Sequence, residues 1–198
     1  MKLPSMWILK ELENTMVMFI GGSKWLIYKT MSSNSSTNCN CILIMGVSGS
    51  GKTTIGKMLA SEVGGEFIDA DEHHSAANIN KMKGGDPLTD EDRENWLGSI
   101  AHLIQTHRSK QTLVVACSAL KRIYRKKLGC QNYNLVYLKG PLSLIAERLD
   151  KRKNHFMPAY LLDSQLVDLE EPTNAVEVSI SMPPNEIVNY ITKKSNLK

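Results

Sequence analysis

Two stretches carry side chains of the types and spacing that do chemistry. The first is "GVSGSGKT", Gly46 to Thr53, which fits G-x-x-x-x-G-K-[ST] in full. Its glycines permit backbone conformations that a Cβ forbids, and they let a ligand approach the chain closely. The N–H groups of Gly46, Val47, Ser48, Gly49, Ser50 and Gly51 can then turn inward as an anion nest. A helix opening near Gly51 adds the positive end of its dipole and, with it, the first turn through Thr54. Lys52 sets a point charge on the β- and γ-phosphates, and Thr53 offers a hydroxyl to Mg²⁺. ATP with Mg²⁺ is the ligand such a cradle takes.

The second stretch is "DADEHHSAANINKMKGG", Asp69 to Gly85. It leaves a strand, so its first residues stand at the sheet edge beside the cradle. Asp71 is placed there to orient an acceptor hydroxyl, take its proton and touch Mg²⁺. His74 is expected to face the acceptor and His73 the surface or a helix cap. A zinc site is the weaker reading, because adjacent histidines rarely converge on one ion and no further His or Cys follows at ligand spacing.

Three later segments supply cations. "TDEDR" opens a helix with Thr89 as N-cap and Asp92 at the third position, so Asp90 and Asp92 are as readily caps as ligands. Arg93 on its first turns can bind an anionic substrate or pair with a carboxylate. In "ACSALKRIYRKKL", Lys121 and Arg125 stand four apart on one expected helical face, a pair suited to an acceptor carboxylate. In "RLDKRKNHFMP", Arg148 and Arg152 have the same spacing and can clamp phosphates as charge shifts in the transition state.

These groups need a scaffold that brings distant segments to one edge. From Cys39 onward, β-rich runs alternate with helical patterns: "CILIM", "EFIDA", "TLVVACS", "NLVYLK" and "AVEVSI". Several runs are apolar nearly throughout, as in strands covered on both faces. Ile55, Met58, Leu59 and Val63 share a helical face after the first run; Leu142, Ile145 and Leu149 do so later; Ile187, Val188 and Ile191 follow Pro183 and Pro184. The alternation predicts an α/β fold on a parallel sheet with right-handed crossovers.

The bulk numbers agree with one globular domain. The 198 residues are 42% hydrophobic and 22% charged, with a formal net charge of +4 of which residues 1–38 supply +2. That balance argues against a nucleic-acid or membrane binder. Four cysteines show no disulfide or zinc spacing, so reduced thiols in a cytoplasmic protein are expected. Residues 1–38 differ from the rest. "TMVMFIGGSKWLIY" is broken by Lys24 and is shorter than the ~20 residues of a membrane span, and "MSSNSSTN" is a polar linker. The division expected is an N-terminal extension, 1–38, without fixed structure or partly helical, and a P-loop domain, 39–198.

Taken in order, "MGVSGSGKTT", "DADEHHSAANINKMKGGDPLTDEDRENWL", "ACSALKRIYR" and "RLDKRKNHFMPAYLLDSQLVDLEEP" resemble the gluconokinase family of P-loop sugar-acid kinases over roughly residues 41–194. The resemblance implies the three-layer P-loop kinase fold, similar to shikimate and adenylate kinases, with a five-stranded parallel sheet and a mobile lid. It implies ATP-dependent phosphorylation of D-gluconate to 6-phospho-D-gluconate with Mg²⁺, and a homodimer. Gly46–Thr53 match the family's ATP site, Asp71 and His74 its D-x-x-H element, and Arg148 and Arg152 its lid arginines. By the same analogy Lys81, Arg93, Lys121 and Arg125 face the acceptor, and "LEEP", 169–172, lies at the adenine-side loop. Asn154, Ser75 and Asn95 stand where the family usually has glycine, proline and proline. Two other readings stay open on the residues alone: a kinase for another acidic polyol such as shikimate, and a nucleotide-dependent switch without transfer chemistry.

Overall fold

The computed structural model describes residues 41–107, 111–129, 134–151 and 162–195, and the backbone of residues 10–12, 15–20 and 24–28. The chain divides into two units, Met1–Asn38 and Cys39–Lys198. In the first, β1 (Lys10–Leu12), β2 (Thr15–Ile20) and β3 (Lys24–Tyr28) form an antiparallel sheet in that order. Strands therefore stand where unstructured or partly helical chain was expected. Alternating residues such as Met16, Met18 and Ile20 are compatible with period 2, and β-branched and aromatic residues favour it.

The second unit follows the alternation read from the sequence. Its strands are β4 (Cys41–Met45), β5 (Glu66–Asp69), β6 (Leu113–Ala116), β7 (Asn134–Lys139) and β8 (Val176–Ser179). All their pairings are parallel, in the order β5-β6-β4-β7-β8. The helices are α1 (Lys52–Glu62), α2 (Ala76–Lys83), α3 (Asp90–Thr106), α4 (Arg122–Lys127), α5 (Leu142–Asp150), α6 (Leu162–Asp168) and α7 (Pro184–Lys194).

The central strand shows why three layers form. Every residue of β4 is buried. Because successive side chains point to opposite faces, Cys41, Leu43 and Met45 enter a core shared with α3 and α4, including Trp96, Leu97, Ile100 and Leu128. Ile42 and Ile44 enter a second core with Ile55 and Leu59 of α1, Ile145 and Leu149 of α5, and Ile187 and Ile191 of α7. Leu43→Ala would remove a fully buried side chain from this sandwich, a change that costs about 2–5 kcal/mol. Leu142 is the exception to the predicted faces: it sits in the first turn of α5, 54% exposed. Cys41 and Cys117 are buried. Among the described residues no helix is long and apolar enough to cross a membrane.

This sheet order places β4 between β6 and β7, where the chain changes direction across the sheet. The crevice beyond the carboxyl ends of these strands is the place where open α/β sheets bind ligands. The loops after β4, β5, β6 and β8 all emerge there.

Candidate active site

The loop after β4 is shaped as an anion nest. Gly51 has φ +98° and Gly49 φ +83°, left-handed values that L side chains rarely adopt. A Cβ on Gly49 would also come within 3.0 Å of Leu149 Cγ. Gly51 caps α1 without any side-chain hydrogen bond, and the first turn holds no acidic residue. The helices alongside are treated differently: Ser75 accepts from Asn78 N–H at the start of α2, and Thr89 and Asp92 form a reciprocal capping box on α3. Ser75 thus supplies a side-chain cap at the start of α2. α1 alone of these three keeps its first-turn N–H groups for an outside anion. Lys52 is buried at 7% exposure, its Nζ donating to Val47 O at 3.2 Å.

The exit of β5 adds two carboxylates. Asp69 closes the strand and accepts from the Thr53 hydroxyl at 2.6 Å and from the Asp71 N–H at 3.1 Å. Those two bonds hold the short 3₁₀ turn Ala70–His73 and so aim Asp71. Trp96 Nε1 on α3 donates to Ala70 O at 2.7 Å and ties the same turn from the other side. The Trp96 ring stacks on His74, with centroids 4.1 Å apart and planes 18° apart. Burial pushes the His74 pKa down; Asp71 opposes that shift and Arg93 adds to it. Its Nδ1 is buried and has no hydrogen-bond partner in the protein. The arrangement favours a neutral imidazole with a nitrogen left for a ligand.

Three compartments adjoin along the crevice. An inner cavity is lined by Ser48, Lys52, Asp71, His74, Arg93, Trp96, Ser118 and Tyr124, among others. A middle cleft is lined by Gly49, Gly51, Thr53, Thr54 and Asp69, again with Ser48, Lys52 and Asp71. An outer cleft shares Gly49, Gly51 and Thr54 with the middle one and adds Arg148, Met182, Pro184 and Ile187. The inner cavity is polar and suits a small hydroxylated molecule, the middle cleft a polyphosphate, and the outer cleft a flat apolar ring beside a cation. Ser48, Lys52 and Asp71 border both inner and middle spaces.

The predicted site residues divide accordingly. Gly46–Thr54, Asp71, His74, Arg93 and Arg148 come together at this edge. Arg148 donates to Ile180 O at 2.9 Å and reaches Ser50 O at 3.5 Å, fastening the turn after β8 to the cradle. Arg152 and Asn154 lie outside the described residues. Lys81 is held by Asp92 at 2.6 Å and does not line the inner cavity. Hydrogen bonds from Lys81 and from Thr89 hold the Asp92 carboxyl down to about 2. Lys121 is the N-cap of α4, outside the helical repeat, so its four-residue spacing to Arg125 does not put both on one face. It pairs with Asp90 at 2.7 Å and Asp168 at 3.3 Å.

Arg125 departs furthest from expectation. It is buried, and its Nη1 donates to Ala119 O at 2.9 Å and Leu120 O at 2.7 Å. Ala119 has φ +44°, and among the described residues no other non-glycine has positive φ. Arg125 therefore braces a strained loop whose Ser118 and Leu120 line the inner cavity, and it does not line that cavity itself. "LEEP" is displaced too. Glu170 accepts from the Arg122 N–H at 2.6 Å and Glu171 pairs with Lys139 at 2.8 Å, so 169–172 pack on α4 and β7. The outer cleft beside the cradle is built from the turn after β8.

Sequence reasoning passed over Asp69, Trp96 and Gln165. Asp69 had a legible signal, since it shares a strand exit with Asp71. Trp96 is a core residue, 5% exposed, while one face of its ring serves His74. Gln165 stands 117 residues from Ser48, whose N–H donates to its Oε1 at 2.7 Å, and no local pattern announces that contact.

A parallel five-stranded sheet with a phosphate nest at its switch point and a carboxylate beside it defines a P-loop kinase of small molecules. Residues 48–194 match the family described as shikimate kinase. The chain is 44% identical over 170 residues to a probable gluconokinase of Dictyostelium discoideum, covering 76% of this chain and 85% of that one. It is 39% identical over 180 residues to a gluconokinase of Arabidopsis thaliana, covering 81% and 95%. A solved gluconokinase structure from Sinorhizobium meliloti 1021 superposes with TM-score 0.68 at 42% identity, covering 77% and 89%. The chain belongs to the gluconokinase family.

Proposed function

We propose that this protein transfers the γ-phosphoryl group of ATP to the 6-hydroxyl of D-gluconate, giving ADP and 6-phospho-D-gluconate. The observation that carries the reading is the shared border: Ser48, Lys52 and Asp71 line both the inner cavity and the phosphate cleft. An acceptor hydroxyl in the first and a γ-phosphate in the second meet over those residues. The choice of gluconate rests on the names of the relatives, which cover most of the chain.

Asp71 accepts the hydroxyl proton as the oxygen attacks phosphorus and the β–γ bridging oxygen leaves with ADP. Lys52 and the cradle N–H groups offset charge on the phosphates. Neutral His74 offers Nδ1 to an acceptor hydroxyl, and Arg93 faces the same space. Arg148, Met182 and Pro184 flank the adenine. Lys81 and Lys121 act at one remove, through Asp92, Asp90 and Asp168.

The donors fit Mg²⁺. Thr53 and Asp69 are hard oxygen ligands already in contact, with Asp71 next to them, and among the described residues no cluster of three or more His, Cys, Asp and Glu forms a cage of its own. Mg²⁺ prefers such sparse sites, keeping waters and substrate phosphates as its other ligands. Bound there, it would offset negative charge on the transferring phosphates.

An ADP-release assay over a panel of sugar acids, with shikimate included, tests the reading. Release that depends on D-gluconate is expected. Preference for shikimate would move the chain toward the family matched by residues 48–194, and release indifferent to any acceptor would remove transfer chemistry altogether.

A further inference from the structure

Two side chains on one face of α6 hold groups that border the two substrate sites: Gln165 holds Ser48, and Asp168 holds Arg93. Gln165 and Asp168 stand three residues apart, which makes them neighbours on the helix surface. Gln165 is 7% exposed, and its Oε1 takes the N–H of Ser48 at 2.7 Å. That N–H belongs to the phosphate nest, at the border with the acceptor cavity. An amide oxygen there does what a phosphoryl oxygen does: it accepts from a backbone donor that would otherwise be unmet.

Asp168 makes the matching substitution on the acceptor side. Its Oδ2 lies 3.3 Å from Arg93 Nη2, and its Oδ1 3.3 Å from Lys121 Nζ. Arg93 also receives Asp90 at 3.8 Å and donates to Tyr124 OH at 3.0 Å. Of these two cations Arg93 lines the acceptor cavity, and its guanidinium, once free of Asp168, is what the carboxylate of an acidic acceptor would meet there. With Asp90 and Asp168 both in place, the two cations are neutralised.

We infer that α6 is a coupling element: Gln165 stands in for a phosphoryl oxygen and Asp168 for the acceptor's carboxylate, so that filling either site loosens α6 and eases filling of the other. The inference rests on the proposed reaction for the identity of the acceptor. Displacing Gln165 from Ser48 takes away one of the ties that hold α6, and Asp168 then releases Arg93 and Lys121. Linkage makes the effect reciprocal: nucleotide must tighten acceptor binding by the same factor as acceptor tightens nucleotide binding.

Calorimetric titration of the full chain tests this, using D-gluconate and the non-hydrolysable imido analogue of ATP with Mg²⁺, each alone and in the presence of the other. In the wild-type chain each ligand should tighten the other by a common factor in the range of about 5–150. Asp168→Asn should bind gluconate alone more tightly than wild type and bring the common factor close to one. Gln165→Ala should bind the analogue alone several-fold more tightly and likewise lose coupling. A residue that only supported the fold would lower both affinities and leave their ratio alone. The inference is overturned if both variants keep the wild-type coupling factor, or if Asp168→Asn weakens gluconate. Absence of gluconate binding to the wild-type chain would refute the acceptor assignment instead. The analogue arm then decides the inference, and equal analogue affinity in wild type and Gln165→Ala defeats it.

Discussion

Replacing Arg125 separates two roles that the same residue could have, and the structure gives the size of the effect. Its guanidinium donates to the carbonyls of Ala119 and Leu120 at 2.9 and 2.7 Å. Leu120 O has a second donor in the Glu170 N–H at 3.1 Å, so its loss in Arg125→Ala is partial. Ala119 O loses its charged donor while its residue stays at φ +44°. A hydrogen bond to a charged group contributes about 1.5–3 kcal/mol, and a buried carbonyl left unmet costs about 1–3 kcal/mol. The loss of folding stability should therefore be about 2–4 kcal/mol, measured as a shift of the urea midpoint at constant slope. Because the braced loop presents Ser118 and Leu120 to the inner cavity, kcat/KM for gluconate should fall while the affinity for ATP holds. Arg125→Lys, with one ammonium for two carbonyls, should recover part of the stability. If Arg125→Ala unfolds within about 0.5 kcal/mol of wild type yet raises the gluconate KM strongly, Arg125 touches the acceptor and the bracing argument is wrong.

Other expectations concern single groups. Asp71→Asn should lower kcat by about 10²–10⁴-fold with little change in ATP affinity, and a variant of normal turnover would show that Asp71 is not the base. Asp69→Asn keeps the shape but weakens the acceptor for the Thr53 hydroxyl, so the Mg²⁺ concentration for half-maximal rate should rise; an unchanged Mg²⁺ titration would exclude Asp69 from the metal's surroundings. His74 has a folded pKa below its ordinary 6.5, so the unfolded chain binds the proton more readily. Its contribution to stability is accordingly present above that value and declines as pH falls through 6.5, with a slope of at most about 1.4 kcal/mol per pH unit. Denaturant melts of wild type and His74→Gln should diverge in this window, and parallel curves would mean that burial of His74 does not set its charge.

The scaffold was the more legible half. "CILIM" and "NLVYLK" are strands to the residue, because β-branched and aliphatic runs buried on both faces leave few alternatives. The phosphate cradle was equally plain, since its chemistry is backbone chemistry within eight consecutive residues. The acceptor side was harder. Lys121 and Arg125 looked like ligands by charge and spacing, and Lys81 by the family resemblance, yet each has an internal partner: Asp90 with Asp168, two carbonyls, and Asp92. A cation in a sequence does not say which anion it will meet, and Asp168 lies 47 residues from Lys121 along the chain. Gln165 and Trp96 escaped for the same reason, their roles being contacts across the fold.

The placement of β4 bears on how the protein comes into being. It is the first strand of its sheet in the chain but pairs only with β6 and β7, and Ile42 meets Asn134. A chain emerging from the ribosome therefore carries its nucleotide loop until Leu113 before β6 can wall it on one side, and until Asn134 before β7 can wall it on the other. Non-local pairing of this kind makes for slow acquisition of structure and leaves the apolar run Cys41–Met45 exposed to chaperones meanwhile. Nucleotide binding should thus appear late in biosynthesis, as a property of the nearly finished polypeptide.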